Sequence, residues 1–240
     1  DSEGLTKSGT ASANVARQAV GDDSACLIVQ SPNFFGCLED LNALGRVAHD
    51  GGALFVVSAY PVALGLLPPP SVYGADIVVG EGQSLGNSLN FGGPYLGLFA
   101  CKSQFIHDMP GRLVGATTDE RGQKGFVLTL QAREQHIRRE RASSNICTNE
   151  ALCALAATVH LSLLGPQGLR KVAEQCLQKA HYLAEQITQI PGYSLAFEAP
   201  FFNEFAVRCP VSPSELNRRL LSEKIIGGLD LGRYYPSLSD

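Results

Sequence analysis

The stretch Gly74-Ala-Asp-Ile-Val-Val-Gly-Glu-Gly-Gln-Ser-Leu-Gly-Asn-Ser-Leu-Asn-Phe-Gly-Gly-Pro-Tyr-Leu-Gly-Leu-Phe-Ala100 reads as strand, glycine-rich loop, strand. Two apolar runs, Ile77-Val-Val79 and Leu96-Gly-Leu-Phe-Ala100, flank a loop too rich in glycine for a plain turn. Small residues at that density let backbone come close to a ligand or to another chain. The loop is not a dinucleotide fingerprint. Gly80-x-Gly82-x-x-x-Gly86 has the wrong spacing, and no acidic residue follows at the needed distance. There is no Walker-type Gly-Lys-Ser/Thr either.

Outward from this stretch the first half alternates strand and helix. Residues 25–30 form a short apolar run of strand length. Residues 37–49 carry apolar side chains at 38, 41, 44, 47 and 48, a helical spacing that Gly51-Gly52 ends. Residues 53–58 give a second strand, and the crossover requires the two strands to be parallel. Strands near 76–79, 96–101 and 126–130 are expected to extend the same sheet. Runs as apolar as Leu54-Phe-Val-Val57 and Ile77-Val-Val79 predict strands covered on both faces. Pro68-Pro-Pro70 is a rigid connector, and residues 131–141 read as a charged helix interrupted by Ser143-Ser-Asn145.

The composition then shifts. Residues 149–164 predict a long Ala/Leu-rich helix capped by Thr148 or Asn149 and stopped by Gly165-Pro166. A second helix covers 167–189, short strands fall at 194–197 and 203–208, and a last helix spans 213–224 with Ser212 as its cap. A boundary near 145 divides residues 1–145, part of a large sheet domain, from residues 146–240, a connecting helix and an incomplete small α+β domain. A two-stranded sheet is marginal alone, so a further strand is expected in the complete protein. The chain starts at Asp1 and its one methionine is Met109, so it is expected to be a piece of a longer polypeptide.

The bulk numbers exclude several classes. With 240 residues, 45% hydrophobic and a net charge of -4, the chain supports a real core and carries no nucleic-acid footprint. Its most basic run, Arg138-Arg-Glu-Arg141, reads as a solvated helix face. The seven cysteines include no C-x-x-C pair and several sit in apolar runs, which reads as reduced buried thiols. Cys147 and Cys153 do not share a helical face, and nothing has metal-ligand spacing. No apolar run approaches a membrane span, and no signal peptide is visible.

Six strings carry a resemblance: Gly80-Glu-Gly-Gln-Ser-Leu-Gly86, Phe91-Gly-Gly-Pro-Tyr95, Pro110-Gly-Arg-Leu-Val114, Gly125-Phe-Val-Leu-Thr-Leu-Gln-Ala-Arg-Glu-Gln-His-Ile-Arg-Arg139, Ser144-Asn-Ile-Cys-Thr-Asn149 and Phe201-Phe-Asn-Glu-Phe205. In this order they resemble the alpha subunit (subunit 1) family of split glycine decarboxylases, the P-protein of the glycine cleavage system. The resemblance covers the family's middle and most of its C-terminal part. It implies an α/β fold of the fold-type I pyridoxal-phosphate transferase kind, with a mostly parallel large-domain sheet and a small α+β C-terminal domain.

The resemblance also implies partners and chemistry. It predicts a beta subunit in an alpha2beta2 assembly, glycine as substrate, a lipoylated carrier H-protein as acceptor and pyridoxal 5'-phosphate as cofactor. It implies neither nucleic acid nor membrane, and a cytoplasmic location in a bacterium or archaeon, or the mitochondrial matrix in a eukaryote. Such chemistry needs a lysine to hold the cofactor and a carboxylate for its pyridinium nitrogen. In the family's beta subunit the lysine follows the Gly-Ala-Asp strand. Here Gln83 and Ser84 stand near that place, and the nearest lysine, Lys102, lies past the next strand. The end of the preceding strand reads Ser58-Ala-Tyr-Pro61, without a carboxylate. The lysine is therefore expected on beta, with no catalytic residue on this chain.

The candidate pocket or interface residues each have a plainer reading. Asn90, Gly92 and Gly93 face the partner's pocket or make a tight turn. Arg112 holds a carboxylate or phosphate, or makes a structural salt bridge. Asn145, Thr148 and Asn149 form a phosphate cup or simply cap the long helix. His136 is a proton shuttle or, on its charged run, a surface or interface residue. Two other functions stay open at this point: a stand-alone pyridoxal-phosphate aminotransferase or lyase, and a non-catalytic structural homologue. In isolation the piece is expected to expose apolar sheet edge and to be poorly soluble.

Overall fold

The computed structural model describes residues 7–131, 134–142, 144–146 and 150–238. Its centre is a four-stranded sheet of β1 (Cys26–Ser31), β2 (Leu54–Ala59), β3 (Ile77–Glu81) and β4 (Gly97–Cys101), in that spatial order. β1, β2 and β3 run parallel, and β4 returns antiparallel to β3, pairing Ile77 with Cys101 and Glu81 with Gly97. The sheet is therefore mostly parallel, as the spacing of apolar runs predicts.

Helix α1 (Ala13–Ala19) precedes the sheet, and α2 (Leu41–Asp50) joins β1 to β2. Asp40 caps α2 by accepting from the Ala43 N–H, and Gly51 ends it. Its buried Leu44 and Ala48 pack with Phe55 and Val57 of β2, forming the first core. Phe55 and Val57 are fully buried, and only β2 among these strands shows consecutive buried positions. β1 has Val29 alone buried, with Ile28 65% exposed, because it is an edge strand of this sheet. The expectation of two-sided cover thus holds for β2 and not for β3, where Ile77, Val78 and Val79 are only half-buried.

The second core lies beneath the segments that leave β2 and β3. Val62, Ala63, Leu85 and Leu96 pack there against Cys153, Ala157 and Ala173 of the long helix α4 (Ala151–Thr188), with Phe202 closing it. Gly65 lets the chain lie against α4, since a Cβ there would stand 3.0 Å from the Leu169 carbonyl oxygen. α4 is broken where the sequence says it should be: Gly165 takes φ 61, ψ -179, a region essentially confined to glycine, and Pro166 starts the second arm. Thr148 and Asn149, the expected caps, lie outside the described residues. Glu150 precedes the first turn and does not cap it with its side chain.

By length and composition α4 is the one helix among the described residues able to cross a membrane, with a stretch of mean hydropathy 1.3. The break at Gly165 decides against a span. The arm from 151 to 164 rises only about 21 Å at ~1.5 Å per residue, short of a hydrocarbon core of ~30 Å.

Two expectations fail. The strand near 126–130 does not extend the sheet. It is β6 (Lys124–Thr129), which pairs with β5 (Leu113–Thr118) in a separate antiparallel hairpin. The reason is local: Asp119 Oδ1 accepts from the Arg121 and Gln123 N–H groups and Gly122 adopts φ 75, so a tight turn pairs β6 with its sequence neighbour. The charged helix over 131–141 shrinks to α3 (Gln135–Arg138) and a 3-10 turn (Arg139–Arg141). Leu130 and Arg139 take positive φ at either end, and Ile137, its one large apolar side chain, stays 49% exposed, so no buried face holds a longer helix.

The C-terminal part contains β7 (Ser194–Leu195) paired antiparallel to β8 (Val207–Arg208), then α5 (Pro213–Ser222) with Ser212 as its cap, as predicted. Between β7 and β8 the chain is sewn onto the N-terminal part. Leu38 N–H donates to Pro200 O at 2.8 Å, Phe202 N–H to Gly36 O at 3.2 Å, and Ala199 N–H to Ser8 O at 3.1 Å. Phe35 stacks obliquely on Phe197 and on Tyr235, with centroids 4.7 and 5.1 Å away.

Candidate functional site

In open parallel sheets, ligands meet the carboxyl ends of the strands. Here that pole is formed by Ser31, by Ala59-Tyr60 and by Glu81 with the loop of residues 82–96. The loop is fixed at its base. Gly82 N–H donates to Leu96 O at 2.7 Å. The Glu81 carboxylate accepts from Gln83 N–H (3.0 and 3.1 Å to its two oxygens) and from Leu96 N–H at 2.8 Å. Gln83 Nε2 donates to Asn87 O at 3.0 Å, and Asn87 Nδ2 to Cys153 O of α4 at 3.4 Å. Gly86, at φ 97, presses on His160, where a Cβ would lie 2.6 Å from the histidine Cβ. Beyond the loop, Glu150 accepts from Gly97 N–H at 2.9 Å.

The loop tip is the opposite. Among the described residues, no hydrogen bond involves residues 88–95. Phe91 is 100% exposed and Leu89 78%. Asn90 and Gly92, two of the candidates, sit on this bare tip, with Gly93 partly covered. Gly92 and Gly93 take φ 145 and 109, values that only glycine adopts comfortably, so the tip's shape depends on them.

Gln83 and Ser84, which stand near the family lysine's place, are both turned to structure. Ser84 Oγ is buried without a hydrogen-bond partner among the described residues, close to but not in bonding geometry with Tyr60. Burial pushes the Tyr60 hydroxyl up, with the Ser84 hydroxyl acting against it. The loop offers no amine for a cofactor. All six lysines lie elsewhere: at 7, 102, 124, 171, 179 and 224.

Lys102, the nearest in sequence, is held at the other pole. Its Nζ donates to Asp76 Oδ1 at 2.6 Å and to Gly74 O at 3.1 Å. Asp76 stands just before β3 and Glu81 ends it, so about five residues at ~3.3 Å each, roughly 16 Å, separate the two poles. Asp76 also accepts from Phe55 N–H at 2.8 Å and bonds His49 Nε2 at 2.9 Å. Burial would raise the Asp76 carboxyl, but Lys102, Phe55 N–H and His49 together hold it down at about 2. The sequence shows Asp76 only as the start of a strand; its structural role comes from long-range partners.

The remaining candidates do not gather at the loop's base. Arg112 is exposed just ahead of β5 and makes no ion pair among the described residues, so the salt-bridge reading finds no partner there. Asn145 borders a groove of about 800 Å³, open to solvent, with Gln135, His136, Arg139 and Glu140. His136 is exposed, as the charged run predicts. A smaller cavity of about 210 Å³ lies between Ser31, Ala59, Leu64 and Tyr73 at the strand ends, below the ~300 Å³ where cofactor pockets begin. Pyridoxal phosphate therefore does not fit this chain's own residues as a covalent site. No amine lies in the loop, no carboxylate ends β2, and the Glu81 carboxylate is already taken by backbone.

A family model for the glycine cleavage system P-protein matches residues 6–237. The chain belongs to that family. It is 58% identical over 230 residues to a probable glycine dehydrogenase (decarboxylating) subunit 1 of Desulfitobacterium hafniense, covering 96% of this chain and 52% of the relative. It is 58% identical over 227 residues to the protein of the same name from Thermomicrobium roseum, covering 95% and 51%. This P-protein family chain thus spans about half the length of the curated relatives it matches. A crystal structure of glycine decarboxylase (P-protein) of the glycine cleavage system, in inhibitor-bound form, superposes at TM-score 0.82 and 49% identity over 87% of this chain and 48% of that one. A Burkholderia pseudomallei sphingosine-1-phosphate lyase matches at TM-score 0.62 and 16% identity over 94% of this chain and 49% of that one, a likeness of fold alone. The fold is of the fold-type I pyridoxal-phosphate transferase kind, as the sequence resemblance implies.

Proposed function

We propose that this P-protein chain is a large part of the non-lysine subunit of glycine dehydrogenase (decarboxylating). It shapes one wall of an active site whose lysine sits on a homologous beta subunit. Together they decarboxylate glycine and pass the aminomethyl group to the lipoyl arm of a carrier H-protein, as an alpha2beta2 assembly inside the cell. Pyridoxal phosphate, when bound in the complex, supplies the electron sink for the decarboxylation. The stand-alone reading requires an amine in the 80–95 loop, and none is there.

The single observation that carries the reading is the form of that loop: a base locked by Glu81 and Asn87, a lysine-free middle, and a bare tip with Phe91 fully exposed. Isolated folds do not favour a fully exposed phenylalanine flanked by Leu89 and Tyr95; a partner surface does. The first arm of α4 adds a second apolar stripe at helical spacing: Leu152, Leu155, Val159 and Leu163 are 51–83% exposed. A division near residue 145, with Asn145, Thr148, Asn149 and Arg112 lining the shared pocket, belongs to the same proposal.

The test uses the full-length polypeptide and its lysine-bearing partner. Mixing them is expected to yield glycine-dependent release of carbon dioxide that neither shows alone. Phe91→Asp is expected to leave the melting temperature unchanged, because the ring packs on nothing. It should weaken association by roughly 2 kcal/mol, about thirtyfold. Wild-type affinity and activity in that variant would show that the tip does not meet the partner.

A further inference from the structure

We propose that Glu81 is a positioning residue that sets the orientation of the exposed loop tip, and through it the active-site wall; this rests on the function proposed above. Three observations support it. First, Glu81 is the only described side chain that binds both limbs of the loop. Its Oε1 accepts from Gln83 N–H on the outgoing limb and from Leu96 N–H on the returning one. Second, above the β3–β4 ladder, which ends at Glu81 and Gly97, one further backbone bond joins the limbs, Gly82 N–H to Leu96 O. Third, residues 88–95 make no hydrogen bond among the described residues, so the tip inherits its direction from the base.

Leu85 and Leu96 anchor the limbs in the second core, but the two glycines at the base bring no side chain of their own. Gly82 is buried against Leu96, with a Cβ there 3.1 Å from Leu96 Cδ2, and Gly80 lies under Ala59 O in the same way. Neither glycine has a side chain to lock the limbs, so the carboxylate acts as the cross-brace. Charge-assisted bonds from carboxylate to backbone N–H are among the stronger hydrogen bonds. Losing them frees the two limbs to move apart, and fewer complexes then hold the wall in reactive geometry. A smaller competent fraction lowers kcat while leaving the KM for glycine nearly unchanged.

The experiment compares Glu81→Ala and Glu81→Gln in the full-length polypeptide combined with its partner. E81Q keeps the oxygen that serves both limbs; E81A keeps none. E81A is expected to lower kcat about tenfold with KM for glycine within about twofold, and E81Q to recover to within about threefold of wild type. In the full-length polypeptide alone, hydrogen exchange at the Gln83 and Leu96 amides should quicken about tenfold in E81A and little in E81Q. Wild-type kinetics in E81A would overturn the proposal. So would equal impairment of both variants, or unchanged exchange at the two amides. An inactive wild-type mixture would instead remove the functional reading, and the proposal with it.

Discussion

Asp76→Ala is expected to destabilise the full-length polypeptide by roughly 3 kcal/mol, read as a fall in the urea midpoint. The carboxylate is 6% exposed, and it adds to the β2–β3 ladder a side-chain link from the start of β3 to β2 through Phe55 N–H and to α2 through His49. Its pKa stands at about 2 against an ordinary 3.8. At ~1.4 kcal/mol per pH unit, that gap is worth on the order of 2 kcal/mol. Truncation also strands the buried Phe55 N–H, costing about 1 kcal/mol more. Lys102 and His49 are 44% and 41% exposed and can turn to water, so their loss adds little.

The pH dependence has a definite sign. The folded pKa is depressed, so the contribution is complete above about pH 4 and is lost as pH falls through about 2. Asp76→Asn keeps an acceptor for Phe55 N–H and should lose less at neutral pH. In either variant the part of acid unfolding between about pH 4 and 2 that belongs to this group should vanish. An unchanged urea midpoint in Asp76→Ala would show that the cluster does not hold β3 to β2.

Gly36→Ala is expected to be about as damaging, at roughly 3 kcal/mol, for a steric reason. Gly36 has φ 83, and a Cβ there would stand 1.9 Å from Glu204 O and 2.4 Å from its carbonyl carbon. Both are backbone atoms and cannot swing aside. The left-handed conformation adds about 1 kcal/mol for an L side chain, and forced overpacking about 1–3 more. The position matters because Gly36 is where the turn after β1 meets the segment around Phe202. Asn33 Oδ1 accepts there from Phe35 and Cys37 N–H, and Cys37 bridges Phe201. Calorimetry should show a lower melting temperature with a poorly packed Phe202; an unshifted transition would contradict the close approach.

How legible this was in the sequence differs element by element. β1, α2 and β2 follow from apolar spacing and from Gly51-Gly52, and the break in α4 from Gly165-Pro166, because short-range rules govern them. The partner of β6 is not legible, since an apolar run specifies a strand and not its neighbour; the Asp119 turn pairs it with β5. The region 131–141 carries helix-forming residues without an apolar face to bury, so among the described residues the α-helix there covers Gln135–Arg138 alone. At the candidate site the missing lysine is plain in the sequence itself. Glu81 as a cross-brace and Asp76 as the partner of Lys102 were not, because each depends on residues 15 and 26 positions away being folded back onto it.

The most direct measurement is borohydride reduction of the assembled complex with pyridoxal phosphate, followed by peptide mapping of both subunits. The account predicts pyridoxyl-lysine on the beta subunit and on none of the six lysines of this chain, with Lys102 unmodified beside Asp76. A reduced cofactor found on any lysine of this polypeptide would contradict it.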